Sequence, residues 1–182
     1  MVGTMSMRRW WLGLSLLVLG ASAPVGALAA EVESKVWTRV SDEGEVIALA
    51  KIPASAARVR EVLADAERSH LLAPTTIEVQ AKPDGACSRV KLKVRGVVSP
   101  FHLEARRCPT ATGFRETLIA SDDFVEYHNE WTIQETGDGV LVSFRSRSLP
   151  NVSVPESFIL SQTRKVLVKL MTRLSDEVLG AR

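Results

Sequence analysis

Glu116 is the ionisable residue whose surroundings in the sequence most strongly suggest chemistry. Polar and apolar residues alternate around it, which predicts a strand with Glu116 on the apolar face. Pairing that strand with the next two, across turns at 122–123 and 137–138, places Asn129 and Ser146 beside the carboxyl group. A carboxyl group in an apolar interior has a raised pKa or needs hydrogen-bond partners. The pattern fits an anchor for a ligand's polar group, a general acid, or a buried carboxyl that its neighbours satisfy.

Other motifs with catalytic or metal-binding potential are absent or wrongly spaced. His70, His102 and His128 lack the spacing of metal ligands, and we interpret them as surface residues. Ser88 and Lys91 match the S-x-x-K string of penicilloyl-serine enzymes, but at this spacing on a strand they face opposite sides. The sequence contains no nucleophile elbow, phosphate loop or dinucleotide fingerprint. We therefore predict no metal and no cofactor.

Six strand-like segments between residues 75 and 148 form the predicted meander that positions these side chains. A slip of one residue would turn apolar side chains to the wrong face, so the register can be tested. Centring one hairpin on 97–98 pairs apolar with apolar residues: Val90 with Ala105, Leu92 with Leu103, and Val94 with Phe101. The same register sets Cys87 opposite Cys108 on the outer face. Opposed Cβ atoms lie roughly 4.5–5.5 Å apart, near disulfide reach, so we predict this bridge.

The next two hairpins arrange two rows on the inner face. Phe114, Trp131 and Phe144 line up as an aromatic row, beside the polar row that contains Glu116. A long amphipathic helix is then predicted from about Glu156 to Leu179, which at ~1.5 Å per residue is ~36 Å long. Its apolar stripe consists of Ile159, Val166, Leu170, Leu174 and Val178, with Thr163 at the same spacing.

The segment before the meander is predicted to contain a strand and a helix. Val46 to Ile52 forms the first strand, and residues 36–40 either pair with it or form a loose lead-in. Ser55 can cap a helix from about Ala56 to Ser69, and a second short helix is a possible continuation.

The first residues have the features of a secretory signal peptide. Arg8 and Arg9 precede an apolar run, and small residues at 27–29 provide a cleavage site. An uncleaved membrane anchor is the alternative. We predict a signal peptide at 1–29, a single domain at 30–182, and export to the periplasm or secretion.

The chain that remains after the predicted signal peptide, residues 30–182, has no net charge, so it lacks the electrostatic footprint of a nucleic-acid-binding protein.

The opening of the domain resembles a known superfamily. Residues 52–68, IPASAARVREVLADAER, resemble the I-x-A-S-x-x-x-V-[W]-x-V-L-x-D-x-x-[R] opening of START-like proteins, which include polyketide cyclases, lipid-transfer domains and coenzyme-Q-binding domains. The resemblance implies an α+β helix-grip fold: a curved antiparallel sheet of about seven strands wrapped on the long C-terminal helix, with one or two short helices after the first strand. Arg60 departs from the pattern, since many members carry Trp there, and residues 69–72 replace the usual aromatic-rich stretch.

The helix-grip layout predicts a binding or transfer protein for a hydrophobic small molecule, such as a lipid, sterol or quinone, held between the sheet and the C-terminal helix. The candidate ligand-binding residues are Phe101, Leu103, Phe114, Glu116, Leu118, Tyr127, Asn129, Trp131, Phe144, Ser146, Ile159, Thr163, Val166 and Leu170.

Two alternatives remain open. One is a cyclase- or aromatase-type enzyme that uses Glu116 as the acid–base group, with Tyr127 or Asn129 polarising a carbonyl. The other is a structural or interaction domain whose core is filled.

An outer basic patch could make transient contact with an anionic membrane surface, or could be an ordinary solvated face. It comprises Arg89, Lys91, Lys93, Arg95 and Arg106.

Overall fold

The computed structural model describes residues 35–96 and 99–180. The predicted signal peptide at 1–29 and the predicted turn at 97–98 lie outside the described residues. All of the described residues belong to one compact unit. Within them, none of the helices combines the length and the apolar composition that crossing a bilayer requires.

The described chain forms one antiparallel sheet and three helices. The strands are β1 (Val36–Val40), β2 (Val46–Ile52), β3 (Thr76–Asp84), β4 (Cys87–Val94), β5 (Phe101–Pro109), β6 (Gly113–Ala120), β7 (Phe124–Thr136) and β8 (Gly139–Pro150). The helices are α1 (Ala56–Ala64), α2 (Ala66–Leu71) and α3 (Glu156–Leu179). The strand order is β1-β2-β8-β7-β6-β5-β4-β3. The predicted α+β fold class is confirmed, and β1 adds an eighth strand to the seven expected because residues 36–40 pair with β2.

The predicted strand registers are confirmed. In the β4–β5 hairpin, Val90 pairs with Ala105 and Leu92 with Leu103, and the predicted disulfide joins Cys87 to Cys108. The aromatic row runs through Phe114, Trp131 and Phe144, and the polar row through Glu116, Asn129 and Ser146. Alternation along each strand and the predicted turn positions were therefore sufficient to align β4 with β5, and β6 with β7 and β8.

The single helix predicted from Ala56 to Ser69 is wrong, because the chain breaks at Asp65. The backbone of Asp65 is extended, with φ −73° and ψ 104°, which ends α1. Its carboxylate then accepts a hydrogen bond from the Arg68 N–H at 3.0 Å and caps α2. Aspartate favours this position because its short side chain satisfies a free N–H at a helix start. Ser55 caps α1 as predicted, accepting from the Arg58 N–H at 3.2 Å.

Helix α3 is buried along only half of its length. Its buried residues all lie from Leu167 onward: Leu167, Leu170, Met171, Leu174, Ser175 and Val178. The apolar ones among them pack in the main core with residues of β2, β7, β8 and α1. From Glu156 to Val166 no residue of the helix is fully buried, although Ile159, Thr163 and Val166 belong to the predicted stripe. The packed half fixes α3 on the sheet, and the other half leaves space beneath it.

Candidate functional site

A cavity of about 490 Å³ lies between the sheet and the first half of α3. Most of the predicted ligand-binding residues line it: Phe101, Glu116, Tyr127, Asn129, Trp131, Phe144, Ser146, Ile159, Thr163, Val166 and Leu170. The aromatic wall includes Trp131 and Phe144, whose ring centroids are 4.2 Å apart. Phe124 and Phe158 extend this wall, and the sequence analysis did not select them.

Three predicted ligand-binding residues lie outside the cavity lining. Leu103 is buried and Leu118 is partly buried in a smaller cluster that Ala66 of α2 joins. Phe114 packs against the main core, and the Arg107 guanidinium lies over its ring, 4.6 Å from the centroid. These side chains share the inner face with the cavity residues, but other parts of the chain cover them. Which part of the face stays open depends on the helices, and strand alternation carries no information about that.

A buried polar cluster occupies one part of the cavity wall, and it consists of Glu116, Arg107, His70, Tyr127 and Asn129. Glu116 is only 1% exposed and Arg107 only 3%. One carboxylate oxygen of Glu116 accepts from Arg107 Nη1 and lies 3.2 Å from His70 Nε2. The other accepts from the Tyr127 hydroxyl at 3.3 Å and from Asn129 Nδ2 at 3.2 Å. The cluster therefore surrounds a single carboxylate with donors.

Arg107 is held in place from several sides. Its Nη2 donates to the carbonyl of Leu63, near the end of α1, at 2.6 Å. Its backbone pairs with that of Glu116 across β5 and β6. Arg107 was not among the predicted site residues, although the sequence contains the signal for it. The inward alternation of β5 continues from Leu103 and Ala105 to Arg107, and a charged residue at an inward position needs a partner.

The prediction that His70 is a surface residue is wrong. Its side chain is 11% exposed, and α2 carries it to the Glu116 carboxylate. By contrast, the side chain of His102 is 65% exposed, as predicted. Strand periodicity does not determine how a short helix packs on a sheet, so nothing in the sequence pattern placed His70 here. In the described part of the chain, His, Cys, Asp and Glu side chains form no group of three that could hold a metal ion.

The cluster holds Glu116 ionised. Burial is the largest influence and would raise the pKa of Glu116, as the sequence analysis expected. The neighbouring His70 and Arg107 side chains, together with the hydrogen bond from Asn129, outweigh burial and hold the pKa of Glu116 far below its ordinary value. Burial and the neighbouring carboxylate raise the pKa of Tyr127 well above its ordinary value, so its hydroxyl is a neutral donor. Of the two alternatives for an inward carboxyl group, a raised pKa or hydrogen-bond partners, the structure has the second, and its two basic partners were not predicted.

Glu116 should make the folded chain sensitive to acid. Its folded pKa is below the roughly 4.3 of an unfolded chain, so the stability it provides is complete above about pH 5 and is lost as pH falls towards the folded pKa. Between about pH 4 and the folded pKa, the unfolded chain binds a proton at this group and the folded chain does not. Each further pH unit of acidification in that range should therefore lower the free energy of unfolding by about 1.4 kcal/mol. Urea unfolding of the native protein and of Glu116→Gln from roughly pH 7 to pH 3 measures the effect. The difference in free energy of unfolding between the native protein and Glu116→Gln should shrink in acid. If that difference did not change with pH, Glu116 would not be ionised in the folded chain.

No protein-family model matches the chain, and no curated protein matches it in sequence. Solved structures do match it in fold. A START superfamily protein from Mycobacterium smegmatis matches with a TM-score of 0.65 and 18% identity, over 76% of this chain and 99% of that one. A STAR-related lipid transfer protein from Xanthomonas axonopodis matches with a TM-score of 0.65 and 18% identity, over 82% of this chain and 96% of that one.

The chain has the START-like helix-grip fold. A further match is the Zhui aromatase/cyclase from Streptomyces sp. R1128, with a TM-score of 0.59 and 16% identity, over 80% of this chain and 93% of that one. The helix-grip fold implied by the opening motif is therefore confirmed. The matched proteins include a lipid transfer protein and an aromatase/cyclase, so the fold is compatible with both the binding and the enzymatic hypothesis.

Proposed function

We propose that this chain binds a hydrophobic small molecule, of the lipid, sterol or quinone class, between the sheet and the first half of α3. The observation that carries the proposal is the cavity of about 490 Å³, whose wall is mainly aromatic and aliphatic. Its polar part consists of the polar cluster and a few further side chains, among them Arg95, Gln162 and Thr163. Ligand sites typically enclose roughly 300–1,000 Å³ and combine apolar walls with a few placed polar groups. A cavity of this size also argues against the filled-core alternative.

A binding or transfer role is favoured over the cyclase-type alternative. That alternative needs Glu116 to exchange a proton with substrate, and an ionised carboxylate that already accepts hydrogen bonds from Arg107, Tyr127 and Asn129 is a poor general acid. The fold similarity to the STAR-related lipid transfer protein from Xanthomonas axonopodis supports the same choice. The disulfide between Cys87 and Cys108 supports export, since such bonds persist in oxidising compartments. We therefore propose a periplasmic or secreted location.

Ligand exchange would involve transient contact with a membrane at the cavity mouth. Val152 and Phe158 line the cavity and are also exposed, Phe158 by 43%. The outer basic patch is a weaker candidate for this contact, because four of its five cations lie beside carboxylates. The fifth, Arg95, was predicted on the outer face but lines the cavity. Arg89 lies 3.2 Å from Glu104, and Lys93 lies 2.8 Å from Glu78. Exposed ion pairs of this kind are ordinary surface features.

The proposed function can be tested on protein purified without denaturation. Native mass spectrometry and lipid extraction should reveal a co-purified apolar molecule, and a fluorescent fatty-acid or sterol analogue should bind saturably with one site per chain. Finding neither a bound lipid nor uptake of any analogue would refute the proposal.

A further inference from the structure

We infer that the cavity binds its ligand with the polar end at the cavity mouth, where Arg95 pairs with an anionic group, a carboxylate or a phosphate. The apolar part of the ligand then lies further in, against Trp131 and Phe144. This inference rests on the proposed function and names the class of ligand, an anionic amphiphile. It follows from where the cavity lining carries charge and from which of those charges already have partners.

Arg95 lies at the edge of the cavity. It lines the cavity and is also exposed, so a ligand and solvent can both contact it. Alternation along β4 predicted an outward side chain, but the strand ends at Val94, and alternation no longer applies beyond that residue. The Arg95 N–H donates to the Thr75 carbonyl at 2.7 Å, which ties its backbone to the residue that precedes β3. Arg95 is therefore anchored by its backbone beside the opening.

The charge of Arg95 has no carboxylate partner within the described chain, whereas each of the four other cations in the outer basic patch lies beside one. Within the cavity lining, Arg107 and Glu116 form an ion pair with each other, so their charges cancel. Glu116 is the only acidic residue among the described residues that line the cavity. Arg95 therefore leaves the lining with a positive charge that an anionic ligand would neutralise.

The buried polar cluster does not offer a second place for a charged end group. Glu116 is 1% exposed and Arg107 is 3% exposed, so a ligand cannot reach the groups that they use on each other. The aromatic wall beside the cluster, with Trp131 and Phe144, provides no partner for a charge. An anionic group placed there would lose its water without compensation, which is costly. The polar end of the ligand is therefore expected at the mouth.

Two threonines lie on the same part of the lining as Arg95. Thr75 and Thr76 are partly buried and line the cavity. Thr75 is joined to Arg95 by the backbone hydrogen bond, and Thr76 is the pairing partner of Val94. Threonine hydroxyls can donate to oxygen acceptors, and guanidinium groups form short, charge-assisted bonds with carboxylates and phosphates. These three residues supply donors that suit an oxyanion.

Replacing Arg95 with Gln tests the pairing on three ligands that share one apolar chain: tetradecanoate, tetradecyl phosphate and tetradecanol. Each displaces a fluorescent lipid analogue at about pH 8, where an ordinary carboxyl group is ionised, and the analogue's own dissociation constant is measured for every variant. Arg95→Gln should weaken binding of at least one anion about fivefold, as the loss of a partly solvated ion pair predicts, and should leave tetradecanol within about twofold. The anion that loses more affinity identifies the end group.

Arg89→Gln provides the matched control, because it removes the same charge from β4 at a residue that does not line the cavity. All three ligands should bind this variant within about twofold of the native protein. Arg95→Glu is a second test, since reversing the charge should weaken the anions further and leave tetradecanol unchanged. Arg95 is exposed, so both of its variants are expected to fold, and circular dichroism verifies this.

The inference is overturned if neither anion loses more affinity than tetradecanol in Arg95→Gln, or if Arg89→Gln weakens the anions as much. If the analogue and all three ligands fail to bind the native protein, the proposed function itself is refuted.

Discussion

Replacing Arg107 with Met should lower the free energy of unfolding by about 3–5 kcal/mol, because it leaves the Glu116 carboxylate buried without its guanidinium partner. Both side chains are almost fully buried, so water cannot compensate for the loss. The loss of the hydrogen bond to the Leu63 carbonyl acts in the same direction. Urea unfolding at neutral pH, followed by circular dichroism, measures the change.

The neighbouring exposed pair provides a matched control. Arg115 and Glu130 lie 2.9 Å apart on the same two strands as Glu116 and Asn129, but the Arg115 side chain is 53% exposed. Arg115→Met should cost less than about 1 kcal/mol. The double variant Arg107→Met with Glu116→Leu should recover much of the loss, because it removes both charges together. If Arg107→Met cost no more than Arg115→Met, Arg107 and Glu116 would not form the buried pair described above.

Replacing Val166 with Trp should reduce binding of a fluorescent lipid analogue by about 100-fold or more, because the indole would occupy the space that the ligand needs. Val166 lines the cavity on the unpacked half of α3 and is only partly buried. The variant should remain folded, since the added volume enters a void instead of the packed core. Analogue titration and thermal unfolding together measure the two effects.

Val168→Trp is the matched control for Val166→Trp. Val168 lies two residues further along α3, does not line the cavity and is 39% exposed. The same change of side chain there should leave binding within about threefold of the native protein, as expected for an exposed site away from the ligand. Equal effects of the two substitutions would place the ligand somewhere other than beneath α3.

The register of the sheet could be predicted from the sequence because it depends on short, neighbouring segments of the chain. Apolar alternation and turn residues determine the register, so the pairing of Glu116 with Asn129 and that of Cys87 with Cys108 followed from short segments. The same logic predicted the extent of α3 from its apolar stripe. The apolar stripe does not show that only its C-terminal part packs on the sheet. That depends on how the sheet and the helices meet.

The candidate site was predicted only in part, since its electrostatics depend on distant segments. Glu116 was recognised as an inward carboxyl group that has either a raised pKa or hydrogen-bond partners. Its two basic partners, Arg107 on another strand and His70 on α2, were not recognised, and they lower its pKa. Arg107 could have been found by continuing the β5 alternation two residues beyond Ala105. His70 could not, because its position depends on the break at Asp65 and on the packing of a six-residue helix.

The most direct test of the binding hypothesis is a crystal structure of this protein grown with tetradecanol. The structure described here predicts electron density for one ligand molecule between the sheet and the first half of α3, with its apolar chain against Trp131 and Phe144. Ligand density confined to the outer surface, or a cavity closed by side chains, would contradict the account.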